Sequence, residues 1–142
     1  MQKLVLALIT ILLLQFAGTP VIAQKQISYR KGIPAKVQYG TASYYHDKFE
    51  GRQTANGEIF RQDKMTCAHN TLPLGTWIRV TNLRNQKTVI VRVTDRLHPK
   101  NPRLVDLSKK AAKKLAYIGH GLTKVKVEVL SDKDLEVALA SQ

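Results

Sequence analysis

The stretch TVIVRVTDRLHPKNPRLVDLS, residues 88–108, restricts the fold of this chain more than any other. Val89, Val91 and Val93 alternate with Ile90, Arg92 and Thr94, the period of two that marks a half-buried strand. Asp95 keeps the parity of the valines. A carboxylate that continues an apolar face is expected where that face ends, at the rim of a core, because burying it without partners costs several kcal/mol. After an irregular run with Pro99 and Pro102, a second carboxylate, Asp106, follows within Leu-Val-Asp-Leu-Ser.

With 142 residues the chain has room for one domain and one modest core. Residues 1–23 read as a secretory signal peptide: Lys3, an apolar run over residues 4–14, and Val21-Ile22-Ala23 before the cut. An uncleaved anchor is the alternative, but the run is shorter than the roughly 20 residues a membrane span needs. No stable membrane anchor is expected after cleavage. Without Lys3 the chain keeps 22 basic residues against 10 acidic ones, a net charge of +12. That charge favours a polyanionic partner; export argues against nucleic acid and for an anionic wall polymer, a lipid headgroup or extracellular matrix. Cys67 is the single cysteine, so no internal disulfide is expected, and a buried, inert thiol is the simplest reading.

Residues 24–36 are polar and basic, with Gly32 and Pro34, and read as a linker. Strands are expected over residues 37–45, 77–83, 88–95 and 124–130, with a hairpin turn through Arg84-Asn85-Gln86. Gly40 in the first of them suggests a bulge or a close backbone approach. Ser108 is a good N-cap for a helix over residues 109–118, with Gly119 as its stop. Residues 131–142 read as a short helix or a frayed tail. Five or six short strands and one or two helices predict a small, mainly-β barrel over residues 37–130.

Three carboxylates stand out from the census: Glu58, just after the Asn56-Gly57 turn, Asp95 and Asp106. Each has a structural alternative: a turn carboxylate for Glu58, an ion pair with Arg96 or another cation for Asp95, and a helix-start residue ahead of Ser108 for Asp106. His69 follows a short apolar stretch, where a satisfied core histidine is the solitary reading. The other histidines lack metal-ligand spacing, so neither a metal nor a cofactor is expected. Carboxylates with a histidine in an exported basic barrel suggest acid–base chemistry on a glycan.

The order of motifs then becomes specific. Gly40-Thr41-Ala42-Ser43-Tyr44-Tyr45, Thr54-Ala55-Asn56-Gly57-Glu58, Ala68-His69-Asn70-Thr71-Leu72-Pro73-Leu74-Gly75-Thr76, Val80-Thr81-Asn82-Leu83, Val91-Arg92-Val93-Thr94-Asp95-Arg96 and Val105-Asp106-Leu107-Ser108 resemble the bacterial rare lipoprotein A family. The resemblance implies a six-stranded double-psi β-barrel and a lytic transglycosylase that cuts peptidoglycan glycan strands, leaving 1,6-anhydro-muramoyl ends. It implies catalytic roles for Asp95 and Glu58 with His69 in support, and a place for Asp106 in a wall-binding groove. From the residues themselves, Tyr44 is a candidate for a sugar platform, with cross-strand packing as its alternative, and Arg79, Arg92 and Arg96 are candidates to meet substrate carboxylates, with solvated charge at the strand edges as theirs. A monomer in the periplasm or outside the cell is expected. The rival reading is a wall-binding or wall-loosening module without catalysis, as in expansins. Three departures bear on the choice: Leu97-His98 stands where the family commonly has Gly-Pro, Tyr44 where it often has Trp, and His46 where it often has Gly.

Overall fold

The computed structural model describes residues 36–141; the expected signal peptide and nearly all of the expected linker lie outside them. Six strands close into a barrel: β1 (Val37–Tyr44), β2 (Thr66–His69), β3 (Trp77–Asn82), β4 (Thr88–Asp95), β5 (Val105–Leu107) and β6 (Thr123–Val129), in the spatial order β1-β5-β2-β4-β3-β6. Two neighbouring pairs, β1–β5 and β2–β4, are parallel, and the other four are antiparallel. Closure leaves no strand edge to attract another chain.

Alternation fills the interior. Ile78 and Val80, Val91 and Val93, Val105 and Leu107, and Val125 and Val127 all face inward and are essentially buried, with Ala42 and Cys67 between them. These short side chains suit a narrow barrel, whose lumen has no room for large ones. The core is extended by helix α1 (Lys109–Lys114), which lays Ala111 and Ala112 on the barrel while its lysines point outward. Ser108 caps it by accepting from the Ala111 N–H.

Two expectations are corrected. Gly119 does not stop α1: the helix ends four residues earlier, because Ala116 turns into the left-handed region at φ 56°. Leu115 and Tyr117, on either side of it, are buried, and the Leu115 carbonyl accepts from the Asn82 and Asn85 amides. Tertiary anchoring of both flanks thus overrides the preference for glycine at a helix end. Likewise the expected strand over residues 77–83 stops at Asn82, whose buried amide also accepts from the Thr123 hydroxyl. The carboxy-terminal segment is a helix, α2 (Asp132–Ala140), started by a capping box between Ser131 and Asp134.

Candidate functional site

One row of residues crosses four strands on the outer surface of the barrel. Ser43 on β1 stands opposite Asp106 on β5, Asp106 opposite Ala68 on β2, and Ala68 opposite Asp95 on β4. The flanking residues Ala42, Val105, Leu107 and Cys67 face the core, so Ser43, Asp106 and Ala68 face outward. Asp95 joins them through an irregularity. Cys67 pairs with Val93 but Ala68 pairs with Asp95, so Thr94 is an extra residue on β4. This bulge turns a side chain of valine parity out of the core and into line with the row. At about 4.8 Å per strand, the Cα atoms of the two aspartates are roughly 10 Å apart with only an alanine methyl between them.

Asp106, Ala68 and Asp95 of this row floor a groove of about 430 Å³, walled by Tyr44, Tyr45, His46, Arg96, His98 and Arg103. Asp95 accepts from the Tyr45 hydroxyl at 2.7 Å and from the Ala55 N–H at 2.9 Å. Tyr45 is stacked on Phe60, ring centroids 4.2 Å apart, and edge-on to Phe49. Burial, together with the hydrogen bond to Asp95 and its charge, pushes the Tyr45 phenol far above the usual range, so it remains a proton donor. Asp106 has a different partner set. It accepts from the Ser43 hydroxyl and pairs with Arg103, whose Nε lies 3.2 Å away. Asp106 is therefore a strand residue held by a cation, and not a helix-start residue.

The other sequence candidates separate. Tyr44 borders the groove, packs edge-on against Tyr117 and donates to the Ile118 carbonyl. Arg96 does not pair with the Asp95 carboxylate; its Nη1 donates to the His69 carbonyl at 2.6 Å. The His69 side chain is fully buried and is not part of the groove wall. Its Nδ1 accepts from the N–H groups of Thr71 and Leu72, which leaves the proton on Nε2, an atom without a partner among the described residues. Burial, reinforced by the Arg96 charge, lowers its pKa to about 4. Glu58 is not brought to the groove either. Its carboxylate accepts twice from Arg92 Nη2, at 2.7 and 2.9 Å, and borders a different concavity. Cys67 is buried and its thiol is pushed up by desolvation, as an inert core residue requires.

Leu97, where the family commonly has glycine, is buried against Tyr45, Phe60 and Ala68, and its N–H donates to the Asn70 side chain. The bulky residue thus supports the wall that carries Tyr45. Sequence reasoning missed Tyr45, Ser43 and Arg103 as partners of the carboxylates. Arg103, three residues before Asp106, was within reach of a spacing argument. The Ser43–Asp106 contact spans 63 residues and leaves no local signal. Among the described residues no three His, Cys, Asp or Glu side chains form a group that would hold a metal ion.

Comparison with known proteins agrees with this architecture. The profile of the lytic transglycolase family matches residues 37–127. The endolytic peptidoglycan transglycosylase RlpA of Pasteurella multocida is 46% identical over 110 residues, covering 75% of this chain and 37% of that protein. The Neisseria meningitidis serogroup B protein of the same name is 38% identical over 129 residues, covering 84% of this chain and 54% of that one. In Pseudomonas aeruginosa PAO1 the identity reaches 56% over 89 residues, 63% of this chain and 26% of that one. The chain therefore spans between about a quarter and about half of these relatives. In fold it is similar to the Streptomyces papain inhibitor (TM-score 0.54, 23% identity, 67% of this chain and 94% of that one). The apo expansin of Clavibacter michiganensis is equally similar (TM-score 0.54, 22% identity, 68% and 51%). The closed six-stranded barrel, the order of motifs along it and the matched profile together make this chain a member of the lytic transglycolase family, with an RlpA-like double-psi β-barrel.

Proposed function

We propose that the chain is an exported endolytic lytic transglycosylase that cleaves the β-1,4 bond between N-acetylmuramoyl and N-acetylglucosaminyl residues of peptidoglycan. The observation that carries this reading is the pair of carboxylates facing one groove with unlike partners: Asp95 bonded to a phenol and an amide, Asp106 to a guanidinium. A group that must give up and take back a proton is best left without a fixed cation, and a group that must stay negative is best given one. Asp95 is accordingly the acid and base. Its carboxyl proton passes to the glycosidic oxygen as the C1–O bond breaks. The muramoyl C6 hydroxyl then bonds to C1, and its proton returns to the Asp95 carboxylate. No water is consumed, and the product is the 1,6-anhydro sugar. Asp106 supplies negative charge opposite the oxocarbenium-like centre, held in place by Arg103 and Ser43. Glu58 and His69 act as positioning residues: Glu58 braces the turn whose Ala55 N–H holds Asp95, and His69 anchors Arg96 through its carbonyl. Tyr44 and Arg96 border the groove as substrate contacts.

The test is mass spectrometry of peptidoglycan, intact and stripped of stem peptides, after incubation with the native chain and with Asp95→Asn. Anhydro-muramoyl products are expected from the native chain and a loss of at least about 100-fold in the variant. If both proteins sediment with the polymer and neither yields products, the groove is a binding cleft of the expansin kind and the catalytic reading fails.

A further inference from the structure

The turn over residues 53–59 bonds to β4 at three places: the Ala55 N–H donates to the Asp95 carboxylate, the Asn56 N–H to the Thr94 carbonyl, and Glu58 accepts from the Arg92 guanidinium. At its Glu58 end lies a second concavity of about 320 Å³, which the catalytic scheme does not use. Trp77, Arg92, Glu58, Ile59, Lys64 and Thr66 border it. Trp77 stands opposite Arg92 across the β3–β4 pair, and Thr66 stands opposite Arg92 across the β2–β4 pair. All three face outward, since Ile78, Val91, Val93 and Cys67 fill the core beside them. The indole N–H of Trp77, Nε and Nη1 of Arg92, and the Lys64 ammonium have no partner among the described residues. Ile59, 56% exposed, extends the apolar surface.

We infer that this concavity is a sugar-binding subsite that takes an N-acetylhexosamine ring of the same glycan strand, stacked on Trp77 and hydrogen-bonded by the Arg92–Glu58 pair. The inference rests on the glycan reading above. A pyranose has a face of C–H groups, which an indole covers at little entropic cost, and an edge of hydroxyls that both donate and accept. The pair offers that edge carboxylate lone pairs and guanidinium N–H groups side by side, already fixed by their mutual bond. The position also fits a polymer. Ser43, Asp106, Ala68, Asp95 and Trp77 lie on five successive strands, β1, β5, β2, β4 and β3. A glycan that crosses the aspartate row therefore reaches Trp77 after one more inter-strand step of about 4.8 Å, displaced along the strands by roughly two residues, or 7 Å.

Trp77 is the only tryptophan of the chain, so its emission reports on this concavity alone. The experiment is a titration of the chain with tetra-N-acetylchitotetraose, followed in parallel by tryptophan fluorescence and by calorimetry. A blue-shifted, saturable emission change is expected, with the calorimetric Kd. By calorimetry, Trp77→Ala is expected to weaken binding about tenfold, while Trp77→Tyr, which restores an aromatic face, stays within about threefold of the native chain. An unmoved emission with binding by calorimetry, an absence of binding by either method, or a Trp77→Ala variant that binds as tightly as the native chain would each overturn the subsite. The catalytic reading fails separately: emission changes without anhydro-muramoyl products leave the subsite standing, and products without an emission change remove the subsite alone.

Discussion

Burial and a neighbouring cation act on His69 in the same direction, and the result reaches beyond that residue. The imidazole is enclosed where β2 ends, and Arg96 bonds to its carbonyl, so the charged form is disfavoured and the pKa falls from 6.5 to about 4. Between those values the unfolded chain holds a proton on this residue that the folded chain does not. Stability contributed by neutral His69 is therefore full above pH 6.5 and is lost as pH falls towards 4, by roughly 3 kcal/mol if the whole shift acts through this group. Urea denaturation of the native chain at pH 7 and pH 4.5 is expected to show that loss. In His69→Asn, whose amide oxygen can still accept from the turn, the loss over this window should shrink even though stability at pH 7 is lower.

At the scale of elements, the site depends on how closely the returning loop approaches β1. Leu104 donates its N–H to the Thr41 carbonyl and lies directly on Gly40, where an added Cβ would come within 2.6 Å of the Leu104 Cβ. Gly40→Ala is expected to destabilise the fold by about 1–3 kcal/mol, read by urea titration, because neither backbone can yield without shifting the β1–β5 pair. It should also weaken glycan binding, since that pair holds Ser43 against Asp106. Gly40 shows what was legible in the chain and what was not. A glycine inside a strand pattern signals close approach, and alternation locates the strand over residues 88–95 and, shifted by one residue, the last strand, expected over residues 124–130 and found at Thr123–Val129. The end of α1 was not legible, because Ala116 adopts its conformation under the pull of buried neighbours far along the chain. Nor was the outward turn of Asp95. Parity carries no information across a bulge, and Thr94, which makes it, is an ordinary strand residue. Glu58 was legible as the residue after a turn, but its direction is set by Arg92, 34 residues away.

For the molecule as a whole, the proposed glycan binding divides between charge and closure. The closed sheet fixes the groove and the Trp77 concavity on one continuous surface, so their spacing does not depend on a flexible joint. The charge is spread more widely. The chain carries 23 basic residues against 10 acidic ones, and Lys110, Lys113 and Lys114 on α1 have no acidic partner among the described residues. Long-range attraction to a polyanion acts through this field and is screened within about 10 Å at 0.1 M salt and about 3 Å at 1 M. Contacts in the groove act at hydrogen-bond range and are screened much less. Co-sedimentation with whole peptidoglycan, whose stem peptides carry carboxylates, is therefore expected to weaken at least about tenfold between roughly 0.05 and 0.5 M sodium chloride. Binding of neutral tetra-N-acetylchitotetraose over the same range should change little. Equal salt sensitivity for the two ligands would show that the cations act within the groove and not as a field around it.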